Sequence, residues 1–460
     1  MRVFLILCLV VVVRENSAEI DWWETSVIYQ IFPRSFRDSD GDGIGDLKGI
    51  IEKLDYIKDL GVDAIWIQPV YRSPMVDMGY DIISFREIDP IFGTMEDMKN
   101  LIREAHKMDL LVVMDFVVNH VSDQSEWFQR SVKREEPYTD YFIWHGGKEI
   151  NETLKVEPNN WASFFSPSAW KWNENRKEYY FHQFSEHQPD LNLRNVKVRY
   201  EIEEVLRFWL DLGVDGFRVD AIAYLFEAAH LLDEPVINSH RDGFRWFALD
   251  HIYTVHQPEN LDILHRWREI LDGYAKLDNK TRLLSVEDVF SAKHLIPYFG
   301  NETFSMAHIP FYFTLVYQDH TANATKLDYI IHDFFDRVPK NHLPNMMLES
   351  HDYYRVSTRF GADAVDAFNM LRLLLPGSTC IYYGGEIGLE DSMIRNDQRT
   401  DFLNPQYDSR DKCRGPMPWD DTNNGGTKSE SKARKISHAL NCGPKQDWFL
   451  LLIQAVPKWF

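Results

Sequence analysis

An arginine and a carboxylate stand two positions apart at the end of a strand-like pattern in residues 216–222 (Gly-Phe-Arg-Val-Asp-Ala-Ile). Side chains two apart in a strand point to the same face, so Arg218 and Asp220 are expected to lie side by side. A guanidinium beside a carboxylate favours the ionised form and lowers its pKa. A carboxylate nucleophile needs that state, although the pair alone is more often a structural ion pair at a strand end.

Similar groups follow other strand-like patterns, at residues 110–118, 282–287 and 345–350. If these strands belong to one parallel barrel, their carboxyl ends meet at a single pocket. Three acids and two histidines in such a pocket suit glycoside hydrolysis, in which one carboxylate attacks and another protonates the leaving oxygen. The five groups are Asp220, Glu287, Asp352, His120 and His351.

The elements that must position these groups alternate between apolar strand-like runs and amphipathic helices. This alternation predicts a parallel sheet, and eight strands predict a (β/α)8 TIM barrel of the α/β class. The rhythm stops at residues 121–195, which are rich in Trp, Phe, Asn, Pro and Ser; we interpret them as a subdomain inserted after the third strand. The predicted strands are 26–32, 64–70, 110–118, 216–222, 282–287, 306–313, 345–350 and 379–383, with helices at 47–60, 95–109, 198–213, 260–276, 325–338 and 363–374.

Composition limits the function and the compartment. The formal net charge of −21 disfavours nucleic-acid binding. Residues 1–18 have the pattern of a signal peptide, and four N-x-S/T sequons fit secretion. We therefore expect a secreted protein with no integral membrane segment once the signal is removed. The sequons begin at Asn151, Asn279, Asn301 and Asn323.

Five motifs resemble a known family over residues from about 20 to about 425. The chain is similar to the insect maltases and α-glucosidases of glycoside hydrolase family thirteen, the α-amylase family. Its segment Gln-Pro-Asp-Leu-Asn is typical of the maltase and oligo-1,6-glucosidase branch. The motifs occupy residues 27–36 (Val-Ile-Tyr-Gln-Ile-Phe-Pro-Arg-Ser-Phe), 115–120 (Asp-Phe-Val-Val-Asn-His), 188–192 (Gln-Pro-Asp-Leu-Asn), 216–220 (Gly-Phe-Arg-Val-Asp) and 382–388 (Tyr-Tyr-Gly-Gly-Glu-Ile-Gly).

The resemblance implies roles for the acids. Asp220 is then the nucleophile, Glu287 the general acid/base and Asp352 the group that stabilises the oxocarbenium-like transition state. Arg218 keeps Asp220 ionised. The family retains anomeric configuration, for which two carboxyl groups about 5–5.5 Å apart are expected.

The resemblance also implies a pocket for one terminal glucose. His120 and His351 are expected to hydrogen-bond its hydroxyls, and Tyr80 to stack on it. Asp81, aided by Arg414, is expected to bind the far hydroxyl. A pocket closed there makes an exo-acting enzyme whose substrate is a small oligosaccharide or disaccharide.

The residue after the nucleophile indicates the preferred bond. In this branch it is usually Val in enzymes that favour α-1,6 bonds and smaller or polar in maltases. Ala221 therefore indicates α-1,4 preference, with sucrose as a further substrate. The alternative is that Ala221 merely packs there.

An acidic loop carries oxygen ligands at alternate positions, as calcium loops do. Gly49 stands where an EF-hand needs Glu, so the loop is not an EF-hand. The resemblance implies a structural Ca²⁺ and no cofactor for catalysis; the alternative is an acidic turn that binds no metal. The implied ligands are Asp38, Asp40, Asp42, the carbonyl of Ile44, and Asp46.

The sequence departs from the family pattern at several places. Tyr353-Tyr354 replaces the usual Gln-Pro after Asp352, and Asp288-Val289 replaces Ala-Tyr after Glu287. After residue 426 the resemblance is expected to end, leaving a basic tail at 427–460 without the last barrel helix and the C-terminal β-domain.

Two alternative functions remain open at this stage. One is a truncated, catalytically impaired relative that binds carbohydrate or protein. The other is an ancillary subunit of an amino-acid transporter, which shares the fold; such subunits need a membrane helix before the barrel and usually lack the full set of acids.

Overall fold

A computed structural model describes residues 20–151, 154–237, 246–301, 304–401 and 408–420. The predicted signal peptide and the tail at 427–460 lie outside the described residues. No helix within the described ranges is both long enough and apolar enough to cross a bilayer.

Eight parallel strands form one sheet, and each predicted strand is confirmed. Several strands are shorter than predicted, because their apolar runs continue into buried loops. Val117 and Val118, for example, are buried beyond the end of the third strand. The strands are β1 (Val27–Ile31), β2 (Ala64–Ile67), β3 (Leu111–Phe116), β4 (Gly216–Val219), β5 (Leu283–Asp288), β6 (Ile309–Tyr312), β7 (Asn345–Met347) and β8 (Ser378–Tyr382).

The sheet runs in the order β6-β5-β4-β3-β2-β1-β8-β7 and curls into a nearly closed barrel. Within the described strands, backbone pairing is interrupted between β6 and β7. Pro310 of β6 has no N–H for a ladder bond. The Asn345 side chain of β7 bridges the two strands: its Oδ1 accepts from Tyr312 N at 2.9 Å and its Nδ2 donates to the Pro310 carbonyl at 2.5 Å. A side-chain amide thus completes the barrel.

Large side chains fill the barrel interior, as in (β/α)8 folds. Trp66 of β2 stacks on Phe311 of β6 with ring centroids 5.5 Å apart. Ile28, Val113 and Met347 pack in the same cluster and are buried. The interior is therefore a packed core, and space for a ligand lies only at its ends.

The helices surround the barrel close to their predicted positions. Capping side chains set several of their starts, such as Thr94, whose hydroxyl accepts from Asp97 N. The predicted helix 47–60 is divided at Lys53. The principal α-helices are Leu47–Glu52, Leu54–Asp59, Met95–Lys107, Val196–Asp211, Glu259–Asp278, Ala324–Phe335, Val356–Phe360 and Val365–Leu374.

The segment after β3 folds into small sheets of its own. Antiparallel pairing joins its strands, and Trp161, Trp170 and Phe181 form a local core. A bridge between His120 and Asp190 joins it to the loop at the end of the third barrel strand, and a bridge between Phe142 and Leu191 lies within it. Its elements are the helix Glu126–Val132 and the strands Trp144–His145, Lys148–Asn151, Leu154–Val156, Trp170–Asn173 and Glu178–Phe181.

Candidate active site

Strand β4 ends in a turn that presents Asp220. Ala221 has φ 52° and ψ 36°, in the left-handed region. A β-branched residue is strained there, whereas Ala is tolerated at modest cost. The strand therefore stops at Val219, and Asp220 follows directly, with its carboxylate at the carboxyl end of the barrel.

Arg218 contacts three carboxylates. Its Nη1 donates to Asp115 Oδ1 at 2.6 Å and to Asp220 Oδ1 at 2.7 Å, and its Nη2 contacts Glu287. Burial lowers the pKa of Arg218, but Asp115, Glu287 and Asp220 together raise it well above its usual value. The buried guanidinium therefore remains charged and holds the predicted nucleophile beside the predicted acid/base.

Glu287 has the acidity of a proton donor. Burial raises its pKa well above the ordinary value of 4.5, and the charges of Asp220 and Asp352 raise it further against the opposing effect of Arg218. A carboxyl group whose pKa is raised in this way keeps its proton to higher pH than an ordinary glutamate, as a general acid must.

Asp352 has the opposite environment. Its Oδ1 accepts from Arg414 Nη2 at 2.9 Å and from Arg410 Nη1 at 3.2 Å, and its Oδ2 lies 3.1 Å from His351 Nε2. Burial alone would raise its pKa, but His351 and the two arginines hold the pKa below its usual range. The pKa values of Asp352 and Glu287 are thus shifted in opposite directions, a division suited to charge stabilisation by Asp352 and proton transfer by Glu287.

Tyr80 and two histidines form a wall next to these acids. The Tyr80 ring stacks on His351, with centroids 5.3 Å apart and planes 6° apart. His120 Nε2 lies 3.1 Å from the Tyr80 carbonyl oxygen. Burial lowers the pKa of both histidines. Both rings are therefore neutral near pH 7 and can serve as hydrogen-bonding groups.

The proton on His351 is placed by its neighbour. The amide Nε2 of Gln30 donates to His351 Nδ1 at 3.1 Å, which leaves the ring proton on Nε2. That proton points to Asp352 Oδ2. Gln30, at the end of β1, thus orients His351, a role that its sequence position did not reveal.

Asp81, which was expected to bind the far hydroxyl of the sugar, is hydrogen-bonded within its own loop. Its buried carboxylate accepts from Ser73 Oγ at 2.9 Å, Val76 N at 2.8 Å and Asp77 N at 3.0 Å. Burial, followed by the charge of Asp77, raises the pKa of Asp81 to about 6. This carboxylate holds its own loop together, and its role in binding sugar stays a prediction.

Arg414 also lies elsewhere than expected. Besides its bond to Asp352, its Nε donates to the His351 carbonyl at 2.8 Å. It therefore fastens the loop after β7 rather than assisting Asp81. Asp81 and Arg414, which the resemblance paired, thus contact different loops.

Asp77 and Arg410 form a second acid–arginine pair, close in sequence to Asp81 and Arg414. Arg410 Nη2 donates to Asp77 Oδ1 at 2.7 Å, and Gln188 Nε2 donates to Asp77 Oδ2 at 3.0 Å. Arg410 also pairs with Asp401. The sequence offered an acid three residues before Tyr80 as a signal. Basic side chains at 410, 412 and 414 left the choice of arginine open.

The acidic loop before the helix Leu47–Glu52 brings three predicted metal ligands together. One carboxylate oxygen from each of Asp38, Asp40 and Asp42 lies within 4.8 Å of the others. Hard oxygen donors in this arrangement fit Ca²⁺. Asp46 instead caps the helix, accepting from Ser39 N at 2.9 Å and from Gly49 N at 2.8 Å. The structure therefore supports a three-carboxylate ligand group and does not bring Asp46 into it.

The unusual Asp288 lies on the other side of β5 from the pocket. Its buried carboxylate binds His256 Nε2 at 2.8 Å and accepts from Phe290 N at 2.9 Å. This departure from the family pattern thus ties the loop after β4 to β5, and Glu287 retains its contact with Arg218.

Three carboxylates around one pocket at the carboxyl end of an eight-stranded barrel, two of them with pKa values shifted in opposite directions, suit a glycoside hydrolase. Comparison with known proteins gives the particular family. The alpha-amylase family, described as alpha amylase, catalytic domain, matches residues 30–439, which extends beyond the expected end of the resemblance at 426. The chain belongs to the alpha-amylase family.

Similar proteins include insect enzymes. The chain is 42% identical to the salivary alpha-glucosidase of Aedes aegypti, over 90% of this chain and 73% of that protein. It is 43% identical to maltase A2 of Drosophila melanogaster, with the same coverage. A crystal structure of an alpha-glucosyl transfer enzyme, XgtA, is 38% identical, with a TM-score of 0.82 over 89% of this chain and 78% of that structure.

Proposed function

We propose that this glycoside hydrolase is a secreted, exo-acting, retaining α-glucosidase. It releases glucose from the non-reducing end of maltose and short malto-oligosaccharides, with sucrose as a further substrate. The observation that carries the proposal is the contact of one buried guanidinium, that of Arg218, with both Asp220 and Glu287, which holds the two acids side by side. Adjacent carboxyl groups favour the double displacement of retaining enzymes, since an inverting enzyme must fit a water between them.

In the first step Asp220 attacks the anomeric carbon while Glu287 gives its proton to the glycosidic oxygen. The C–O bond to the leaving group breaks, and a glucosyl ester of Asp220 forms. The raised pKa of Glu287 supports this assignment because the group holds a proton to give. The anionic Asp352 stabilises the positive charge that develops on the sugar ring.

In the second step Glu287, now ionised, takes a proton from water. The resulting hydroxide attacks the anomeric carbon, the ester bond breaks, and Asp220 leaves as a carboxylate. Two inversions give net retention of configuration. Glu287 is protonated again and Asp220 is again a free carboxylate, so the proposed hydrolysis consumes only water and needs no cofactor.

The Asp77–Arg410 pair is proposed to bind the far hydroxyl of the terminal glucose. Arg410 links Asp77 in the loop after β2, Asp352 after β7 and Asp401 after β8. A charged link between three loops closes the pocket beyond the first sugar, which supports exo-action. The names of the insect relatives, a maltase and an alpha-glucosidase, support α-glucosides as substrates.

The direct experiment follows hydrolysis of maltose by the purified protein with NMR. The first product is expected to be the α-anomer of glucose, with maltose hydrolysed faster than isomaltose because Ala221 leaves room at the turn. Failure to hydrolyse maltose, sucrose or an aryl α-glucoside by a folded protein would refute the proposal.

Exchanging Asp77 and Asp81 for asparagine separates sugar binding from loop stability. Asp77→Asn is expected to lower kcat/KM for maltose roughly 10²-fold, because a charged partner for the sugar is lost. Asp81→Asn places an amide donor among the N–H groups of residues 76 and 77. It is expected to reduce the free energy of unfolding by about 1–3 kcal/mol.

The measurements are steady-state kinetics and thermal unfolding of both variants. Asp262→Asn, on the exposed face of the helix Glu259–Asp278, is a control for the loss of one charge. A drop in kcat/KM confined to Asp81→Asn, at unchanged stability, would return the sugar-binding role to Asp81.

We propose that Asp38, Asp40 and Asp42 hold a structural Ca²⁺, without a part in the chemistry. Calcium at 100 times its Kd is expected to add about 2.7 kcal/mol to the free energy of unfolding. A chelator should remove this gain, and Asp40→Asn should abolish the response to calcium. Equal unfolding curves with calcium and with chelator would contradict the site.

Secretion is also part of the proposal. Each of the four sequon asparagines is exposed, including Asn279 at a helix end and Asn323 at a helix start. Protein collected from the medium of a eukaryotic host should lose mass when N-glycans are removed. An unchanged mass would remove this support.

A further inference from the structure

The ring of Tyr317 is partly open to solvent at the carboxyl end of the barrel. It follows β6 and is 39% exposed, whereas Phe313, Leu315 and Val316 of the same loop are buried. The protein thus presents one aromatic ring above an apolar loop that is otherwise packed. Solvent-exposed aromatic surface at a binding pocket is a common means of holding a flat ligand.

Tyr317 lies on the side of the pocket opposite Tyr80, because β6 and β2, the strands that precede the two residues, are four places apart in the eight-stranded barrel. Strand β6 pairs with β5 so that Phe311 lies opposite Glu287, and the loop that carries Tyr317 therefore starts beside Glu287. The Tyr80 hydroxyl donates to Asp115 Oδ2 at 3.2 Å, beside Arg218. Tyr80 therefore lies on the side proposed for the terminal glucose, whereas Tyr317 lies on the side of Glu287, the proposed proton donor to the leaving oxygen.

Tyr353 fixes the orientation of Tyr317. The two rings meet edge to face, with centroids 5.1 Å apart and an angle of 82° between their planes. Tyr353 directly follows Asp352, so the same loop supports the acid and the ring. Tyr354, which contacts the Tyr353 ring at 5.3 Å, donates its hydroxyl to Asp408 Oδ2 at 2.5 Å and holds that loop in place.

This pair of tyrosines belongs to the chain itself rather than to the family pattern. Tyr353-Tyr354 stands where the pattern has Gln-Pro. Replacing a hydrogen-bonding amide by an aromatic ring beside Asp352 exchanges polar recognition for stacking at this end of the pocket.

We propose that Tyr317 and Tyr353 form the leaving-group subsite, and that this subsite selects α-glucosides whose leaving group has a flat apolar face, with aromatic aglycones preferred over alkyl ones. The inference rests on the proposed function and names its preferred substrate class. Stacking on an aromatic ring contributes enough to change kcat/KM by roughly 3- to 10-fold per contact.

Benzyl and methyl α-glucosides provide the test, since both release a primary alcohol of similar acidity and differ in the aromatic ring. The measured quantity is the ratio of kcat/KM for the benzyl glucoside to that for the methyl glucoside. The wild-type ratio is expected to exceed about 10, and Tyr317→Ala should lower it roughly 3- to 10-fold. Tyr317→Phe keeps the ring and should preserve the ratio.

Tyr329→Ala is the matched control, because Tyr329 is 68% exposed on the helix Ala324–Phe335, away from the pocket. Its ratio should equal that of the wild type. Tyr353→Ala should lower the ratio as well, by freeing the Tyr317 ring. If Tyr317→Ala unfolds, Tyr317→Leu carries the same comparison.

The inference is overturned if an active enzyme keeps the same ratio in Tyr317→Ala and Tyr353→Ala, or if the wild-type ratio is near one. In both cases the proposed α-glucosidase function stands. A folded wild-type protein inactive on every α-glucoside would overturn the function and the inference together, so the two failures are distinguishable.

Discussion

Asp220→Asn is expected to lower kcat/KM for maltose by at least roughly 10³-fold. Asparagine has nearly the shape of aspartate, and its Oδ1 can still accept from Arg218 Nη1, as Asp220 does at 2.7 Å. It cannot form the ester with the anomeric carbon, because a neutral amide oxygen is a poor nucleophile. The loss should therefore appear in kcat, while the affinity for the sugar changes little.

Two measurements separate chemistry from folding in this variant. Its thermal midpoint should stay close to that of the wild type, because Arg218 keeps Asp115 and Glu287 as partners. A glucose-sized competitive inhibitor should still bind. Near-normal turnover in Asp220→Asn would exclude Asp220 as the nucleophile and leave only its ion pair with Arg218.

The barrel was predictable because its strands are apolar on both faces and alternate with amphipathic helices. The strand-end groups followed from that topology, since parallel strands bring their carboxyl ends together whatever their separation in sequence. Arg218 and Asp220 needed only the two-residue period of a strand. Asp115 of β3 also accepts a hydrogen bond from the Arg218 guanidinium. Its position inside a strand pattern gave no sign of this contact.

Loops carry no such period, which explains where prediction stopped. Asp77 and Asp81 lie in one turn, and only the hydrogen bonds from residues 73, 76 and 77 show that Asp81 is engaged. Arg410 and Arg414 are one helical turn apart in a segment whose path no pattern defines. The closure of the barrel by Asn345 depends equally on contacts between two strands. Such roles are set by tertiary contacts, which a single sequence does not display.

Glu287→Gln is expected to lower kcat/KM for maltose by roughly 10²–10⁴-fold, the range of general acid–base catalysis. The loss should be smaller for an aryl glucoside with an acidic leaving group, which departs without a proton. In the wild type, activity should fall as the pH rises through the pKa of Glu287, because only the protonated form can donate. Burial raises that pKa, so this basic limb should lie well above the ordinary value of 4.5.

The variant Glu287→Gln should lack the basic limb, since glutamine does not titrate. With an aryl glucoside, its glucosyl ester on Asp220 should accumulate because no base activates water, and azide, which needs no base, should attack the ester and restore turnover. The product should be the α-glucosyl azide, because attack on the ester inverts the configuration a second time. A β-azide would mean direct displacement without the Asp220 ester, and an unchanged pH profile would assign the titrating proton to another group. The stereochemistry of one product thus tests the two carboxylates that Arg218 holds together.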